Sequence, residues 1–234
     1  MIWEAFGANA GNCHLQFKCF FAQQNPCIPT PSRKEYPNWK VRPLIKWINH
    51  IGPQLYKPGK SISVDEMTMG FQERHVDKRR ITYKAEGDGF QADALSDDGY
   101  AVQVYMRNDP APKQYLKNGT SPLHARVLKL FDVLEESYHQ VGMDNLYNSA
   151  SFSKKAFNQR NKVLVHGVAR KGVRGVPKCV IHEEIKNREH QLRVRGTVKA
   201  AVLKGDVDRP NLIAASVYDT KPLHYLSMTS KNIQ

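Results

Sequence analysis

The chain has 234 residues, 41% hydrophobic and 24% charged, which excludes disordered, collagen-like and coiled-coil architectures and suffices for one large domain or two small ones. Its 35 Lys and Arg against 22 Asp and Glu give a net charge of +13, a field that draws polyanions. With no apolar run long enough for a bilayer and no amphipathic Lys-rich helix, nucleic acid leads a plain basic soluble protein as the reading of that charge, and neither membrane nor small molecule is expected as a partner.

In chain order, residues 1 to about 23 scatter Trp3, Phe6, Leu15, Phe17, Phe20 and Phe21 at helix-like intervals that Gly7, Gly11 and Asn12 break. Pro26, Pro29, Pro31 and Pro37 then make a linker, so a boundary is expected between 1–38, an N-terminal remnant, and a folded unit over 39–234. Cys13, Cys19, Cys27 and Cys179 show neither a Cys-x-x-Cys pair nor matching His spacing, which argues against zinc. The N-terminus lacks a basic segment followed by an apolar run, so reduced thiols are expected.

Val41, Leu44, Ile45, Ile48 and Ile51 predict an amphipathic helix over 39–56, interrupted near Gly52-Pro53, with Trp39 and Trp47 in the core. After a Pro-Gly turn, Ile62 and Val64 alternate with serines in a strand that leads into Asp65. Strands over 89–95 and 100–106 form a hairpin closed at Asp97-Asp98-Gly99. Ser121-Pro122 opens a helix over 121–140, facing inward through Leu123, Val127, Leu130, Phe131 and Leu134. A short strand reaches Asp144, followed by a helix over 151–160, a strand over 162–168 and a Gly- and Arg-rich loop. "HQLRVRGTVKAAVLK", "NLIAASVYD" and "LHYLSMTS" supply three more strands. This order is that of an α/β fold, a mixed sheet flanked by helices, whose ligands gather at strand ends.

Asp65 and Asp144 both follow buried strand segments, and neighbouring strands would bring them together. Two such carboxylates repel unless a cation lies between them, and hard oxygen donors suit Mg²⁺ or Mn²⁺. Their natural use is phosphoryl transfer, on the phosphates that a basic surface collects. Solvated loop acids are nonetheless the commoner explanation of any one strand-end aspartate. Glu66 would face away from Asp65, which favours a role in supporting the site or the structure over metal ligation. Asn145 and Tyr147 suit positioning, turn formation or core packing alike. Arg170, Lys171, Arg174 and Lys178, spaced by Gly172 and Gly175, suit phosphate contacts, and Lys78, Arg79 and Arg80 form a second basic run with even odds between DNA and solvent. Arg193, Arg195 and Lys199 share a strand face that either extends this path or stays in water. His166 and His182 lack paired ligand spacing.

"LYKPGKSISVDEMTMGFQER", "ADALSDDGYAVQVYMRND", "VGMDNLYNSASF" and "VHGVARKGVRGVPKCV" stand in the order and approximate spacing of signature segments of the piggyBac transposase family, and the resemblance runs from about residue 40 to 230. It implies an RNase H-like catalytic core, with an inserted or appended β-rich segment after residue 160, that cuts and joins DNA using three aspartates and divalent metal. By motif, Asp65 matches the first aspartate and Asp144 the second. The third lies in a "G-V-D-x-x-D-Q" segment without counterpart before Gln234; Asp206, Asp208 and Asp219 do not match it. The expectation is a domain truncated at both ends with little or no strand transfer, whose two-metal site forms only with a third acid. The resemblance further implies terminal inverted repeats and a second copy of the chain as partners, and a nuclear location. Two alternatives stand beside it: a domesticated or truncated derivative that binds DNA without catalysis, and a scaffold that binds none.

Overall fold

A computed structural model describes residues 42–70, 78–80, 88–117, 119–182, 195–205 and 210–229. The N-terminal scatter, the proline linker, Trp39, Cys13, Cys19, Cys27, Arg193, Asp206 and Asp208 lie outside the described residues.

The sheet is built from β1 (Ser61–Gly70), β2 (Arg79–Arg80), β3 (Asp88–Asp97), β4 (Tyr100–Met106), β5 (Gln140–Met143), β6 (Leu164–Ala169), β7 (Val198–Leu203), β8 (Asn211–Tyr218) and β9 (Pro222–Thr229). Their spatial order is β2-β3-β1-β5-β6-β9-β8-β7, with β4 also on β3. β1, β5 and β6 run parallel, and the other pairings are antiparallel. The β-rich stretch expected after residue 160 therefore extends this same sheet, through β9 on β6. Helices α1 (Arg42–Leu55), α2 (Pro122–Leu130) and α3 (Ala150–Phe157) flank it.

Alternation along the strands sorts side chains between two layers. On one face Ile62, Val64, Leu95, Val141, Met143 and Val165 pack with Val127, Leu130 and Phe131 of the α2 segment and Phe152 and Ala156 of α3. On the other, Ile45 of α1 packs with Ala92, Ala94, Val104 and Met106. A third cluster joins Ala150 and Leu164 to Leu212, Ala214, Leu226 and Met228.

Trp47 departs from expectation, since it is 44% exposed. The inward face of α1 runs through Ile45, the half-buried Asn49 and Gly52 instead, and Asn49 has a polar task there. Its amide donates to Val104 O and accepts from Val104 N, both at 2.8 Å, which seals the open edge of β4. The helix also continues through Pro53 rather than breaking. Proline leaves the Asn49 carbonyl without its helical donor, and Gln103 Nε2 supplies one at 3.1 Å. The neighbouring Gly52 permits this contact, as a Cβ there would stand 2.8 Å from Val102 O.

The second helix is shorter than its apolar pattern. Ser121 Oγ caps it through His124 N and Pro122 occupies its first turn, but it ends at Leu130, followed by a 3₁₀ turn over Phe131–Val133. Phe131 and Leu134 stay buried all the same. Asn161, itself buried, donates to the carbonyls of both at 2.6 and 3.2 Å, replacing the bonds that further helix would have made.

Gly167 brings β6 against β5. Its φ is +146° and a Cβ would lie 1.9 Å from Met143 O, directly before Asp144. Gly167→Ala is expected to destabilise the protein by about 2–3 kcal/mol, read as a lower urea midpoint with unchanged slope.

Candidate active site

The parallel ladder between β1 and β5 runs Ser61↔Gln140, Ile62↔Val141, Ser63↔Gly142 and Val64↔Met143. Asp65 and Asp144 directly follow its last pair. Neighbouring strands are roughly 5 Å apart, which sets the Val64 and Met143 backbones side by side immediately before the two acids. Val64 and Met143 turn into the core, which sends the residues after them toward the other side, and both aspartates are exposed. Each carboxylate is oriented in the same way: Oδ1 accepts from the following amide, Glu66 N on Asp65 and Asn145 N on Asp144, both at 2.6 Å. β1 does not stop at Asp65 as expected but continues to Gly70, because β3 goes on pairing it, with Asp65 opposite Ala94. Asp65 therefore sits on a strand held from one side, and Asp144 at the head of a turn.

That turn is fixed at every step. The amides of Tyr147 and Asn148 donate to Asp144 O at 3.1 and 3.2 Å. Asn148 Nδ2 reaches Gly167 O at 2.8 Å and Leu226 O at 3.2 Å, which binds the turn to β6 and β9. Ser149 caps α3 through Phe152 N. Tyr147 is fully buried, so its positioning and packing roles coincide.

Beneath the turn lies a charged network that motif reading did not find. Asp93, fully buried on β3, accepts at Oδ1 from Arg107 Nε and from the Tyr147 hydroxyl, both at 2.8 Å, and at Oδ2 from Arg126 Nε at 3.3 Å. Arg107 Nη1 also pairs with Glu66 Oε1 at 2.6 Å, and its Nη2 donates to the Tyr147 hydroxyl at 2.9 Å. Burial alone would lower the guanidinium's pKa, but Asp93 and Glu66 reverse this and hold it above its ordinary value. Burial, then the charge of Asp93, raises the Tyr147 phenol. Glu66 thus has the structural role expected of it, facing away from Asp65. The available signal for Asp93 was a lone acid inside an apolar strand, between Ala92 and Ala94.

The basic groups stand on the same edge of the sheet. Arg170, Lys171, Arg174 and Lys178 are all exposed on the loop that leaves the carboxyl end of β6, the strand parallel to β5. Gly175, at φ +101°, folds that loop onto the start of α3, where an added Cβ would be 2.5 Å from that of Ala150. Of the other run, Arg79 and Arg80 are exposed on the short strand β2, and Lys78 pairs with Asp88 at 3.1 Å. Arg195 lies in a turn before β7 and pairs with Asp219, so it does not share a strand face with Lys199.

Three histidines near this edge have lowered pKa values. Burial is the first cause at His124, whose ring stacks on Phe152 at 4.5 Å and contacts Tyr147 O, at His166 and at His224, where Lys171 adds to it. A His whose pKa falls on folding contributes stability that is complete above its unfolded value near 6.5 and is lost as pH drops from there through the lowered folded value. The melting temperature is accordingly expected to be lower at pH 5 than at pH 7.5, and His124→Gln to reduce the difference.

Among the described residues no group of three or more His, Cys, Asp or Glu converges as metal ligands, and no helix is long and apolar enough to cross a membrane. The carboxylates of Asp65 and Asp144 are hard oxygen donors, a type suited to Mg²⁺ or Mn²⁺.

Among curated proteins none matches the chain at a significant level. Among solved structures, a cryo-EM structure of a piggyBac transposase synaptic complex with hairpin DNA superimposes with a TM-score of 0.69 at 21% identity. The match covers 90% of this chain and 42% of that one, so the chain spans less than half the length of that transposase. The model of the family described as Transposase IS4 matches residues 17–233, nearly the whole sequence. With its motifs, its sheet and this match in agreement, the chain belongs to the Transposase IS4 family and has the fold of the piggyBac transposase catalytic region.

Proposed function

We propose that this chain is the RNase H-like catalytic region of a piggyBac-like transposase, the region that in full-length relatives acts in the nucleus on DNA ending in inverted repeats and cleaves and joins strands with Mg²⁺ or Mn²⁺, for which Asp65 and Asp144 are two of the three acids needed. The observation that carries the reading is that these two exposed acids directly follow the last pair, Val64↔Met143, of the parallel ladder between β1 and β5. A divalent cation bound there supplies Lewis acidity toward a phosphodiester and offsets the repulsion between the carboxylates. The chain's own residues do the rest. The Asp144 turn and β1 hold the acids in place, while Arg170, Lys171, Arg174 and Lys178 draw the phosphate backbone across the same edge.

A metal-dependent nicking assay on supercoiled plasmid, with Asp65→Ala and Asp144→Ala as controls, tests the catalytic part. Robust nicking unchanged by both substitutions rejects it. A second reading, DNA binding without catalysis, is favoured by the finding that no three His, Cys, Asp or Glu side chains group as metal ligands among the described residues. It predicts salt-sensitive DNA binding, no nicking, and the same affinity in both variants.

Replacing Arg170, Lys171, Arg174 and Lys178 together by Ala is expected to weaken duplex binding uniformly across sequences. It should also flatten the dependence of log Kd on log salt by about 0.9 for each phosphate no longer neutralised, measured by fluorescence anisotropy. The same treatment of Arg79 and Arg80 tests the second run.

A further inference from the structure

We infer that Arg107 is a positioning residue that sets the relation between Asp65 and Asp144 from the buried side of the sheet; the inference rests on the proposed role of those two acids. Its guanidinium bonds to both acid-bearing segments. Nη1 holds Glu66, the residue after Asp65, at 2.6 Å. Nη2 holds the hydroxyl of Tyr147, three residues after Asp144, at 2.9 Å. Nε and Nη2 are themselves fixed on Asp93 Oδ1, both at 2.8 Å. Asp93 lies opposite Glu66 in the β1–β3 register, so the anchor belongs to the same layer as the segments it serves.

The geometry suits the task. β1 and β5 cease to pair after Val64↔Met143, so no β1–β5 backbone ladder extends to the two aspartates. Arg107 restores a cross-connection one position beyond Asp65, through a planar fork that lysine cannot reproduce. Its side chain is only 16% exposed and that of Asp93 is 0% exposed, which shields the connection from water. A carboxylate pair that repels when apart from a cation needs such a support to keep its spacing, and supporting residues of this kind commonly tune metal affinity by about 10–100-fold.

The test uses the whole chain as Arg107→Lys and, should that variant fold poorly, Tyr147→Phe, which deletes one hydroxyl. Amide exchange followed by NMR supplies a readout without metal. The Tyr147 and Asn148 amides, bonded to Asp144 O, are expected to exchange about tenfold faster or more, with the β8–β9 ladder unchanged. Mn²⁺ affinity, followed by electron paramagnetic resonance, is expected to fall at least about tenfold. Asn161→Ala, which removes a buried amide from the α2 side of the core, serves as the matched control and should leave both readouts in place. Exchange that rises equally everywhere, or Mn²⁺ affinity that falls as much in the control, overturns the inference in favour of a general stabilising role. Wild-type protein that binds no Mn²⁺ brings down the metal reading, while the exchange measurement still judges Arg107.

Discussion

Asp144→Asn is expected to lower Mn²⁺ affinity by on the order of 100-fold and to remove metal-dependent nicking, and Asp65→Asn to do the same. The substitution keeps side-chain volume and the Oδ1 acceptor for the following amide, so the turn and strand persist; what disappears is one negative charge at the cation position. The two variants should not add. Once either carboxylate is lost, the second is a lone exposed acid with little hold on a divalent ion, so the double variant resembles each single one. Titrations of wild type, both singles and the double, at fixed ionic strength, check this. Independent, additive losses would mean that the acids do not serve a common ion.

Asp93→Ala has the largest expected effect on stability, a loss of about 3–5 kcal/mol. The reason lies in what remains: Arg107 and Arg126, with side chains 16% and 13% exposed, would both face an emptied site. Glu66 still pairs with Arg107, so the penalty falls mainly on Arg126 and on the Tyr147 hydroxyl, which loses its acceptor. Urea unfolding of wild type, Asp93→Ala and Asp93→Asn measures it. The Asn variant, which keeps an acceptor at Oδ1, should lie between the other two.

Much of the architecture was legible because local patterns agreed with the tertiary outcome. The alternation of Ser61 and Ser63 with Ile62 and Val64, the Asp98-Gly99 turn and the Ser121-Pro122 start each specify their element through local sequence alone. The two aspartates each stand directly after a buried apolar residue, as the pattern indicated, although β1 runs on to Gly70 rather than ending at Asp65. Other features depended on groups distant in sequence. The end of α2 at Leu130 follows from Asn161 receiving the Phe131 and Leu134 carbonyls, a contact across 27 to 30 positions that periodicity does not contain. Trp47 faces outward because Asn49 of the same helix is needed at the edge of β4. The Asp93 and Arg107 network was hidden for a related reason. Neither residue has a distinctive spacing, and only the antiparallel pairing of β1, β3 and β4 brings them beside Glu66 and Tyr147.

Anomalous diffraction from crystals soaked in Mn²⁺ tests the central claim most directly. The account predicts a peak bridged by carboxylate oxygens of Asp65 and Asp144, absent from Asp65→Asn crystals grown in the same way. Manganese bound elsewhere, with the two side chains turned away from a common ion, would contradict it.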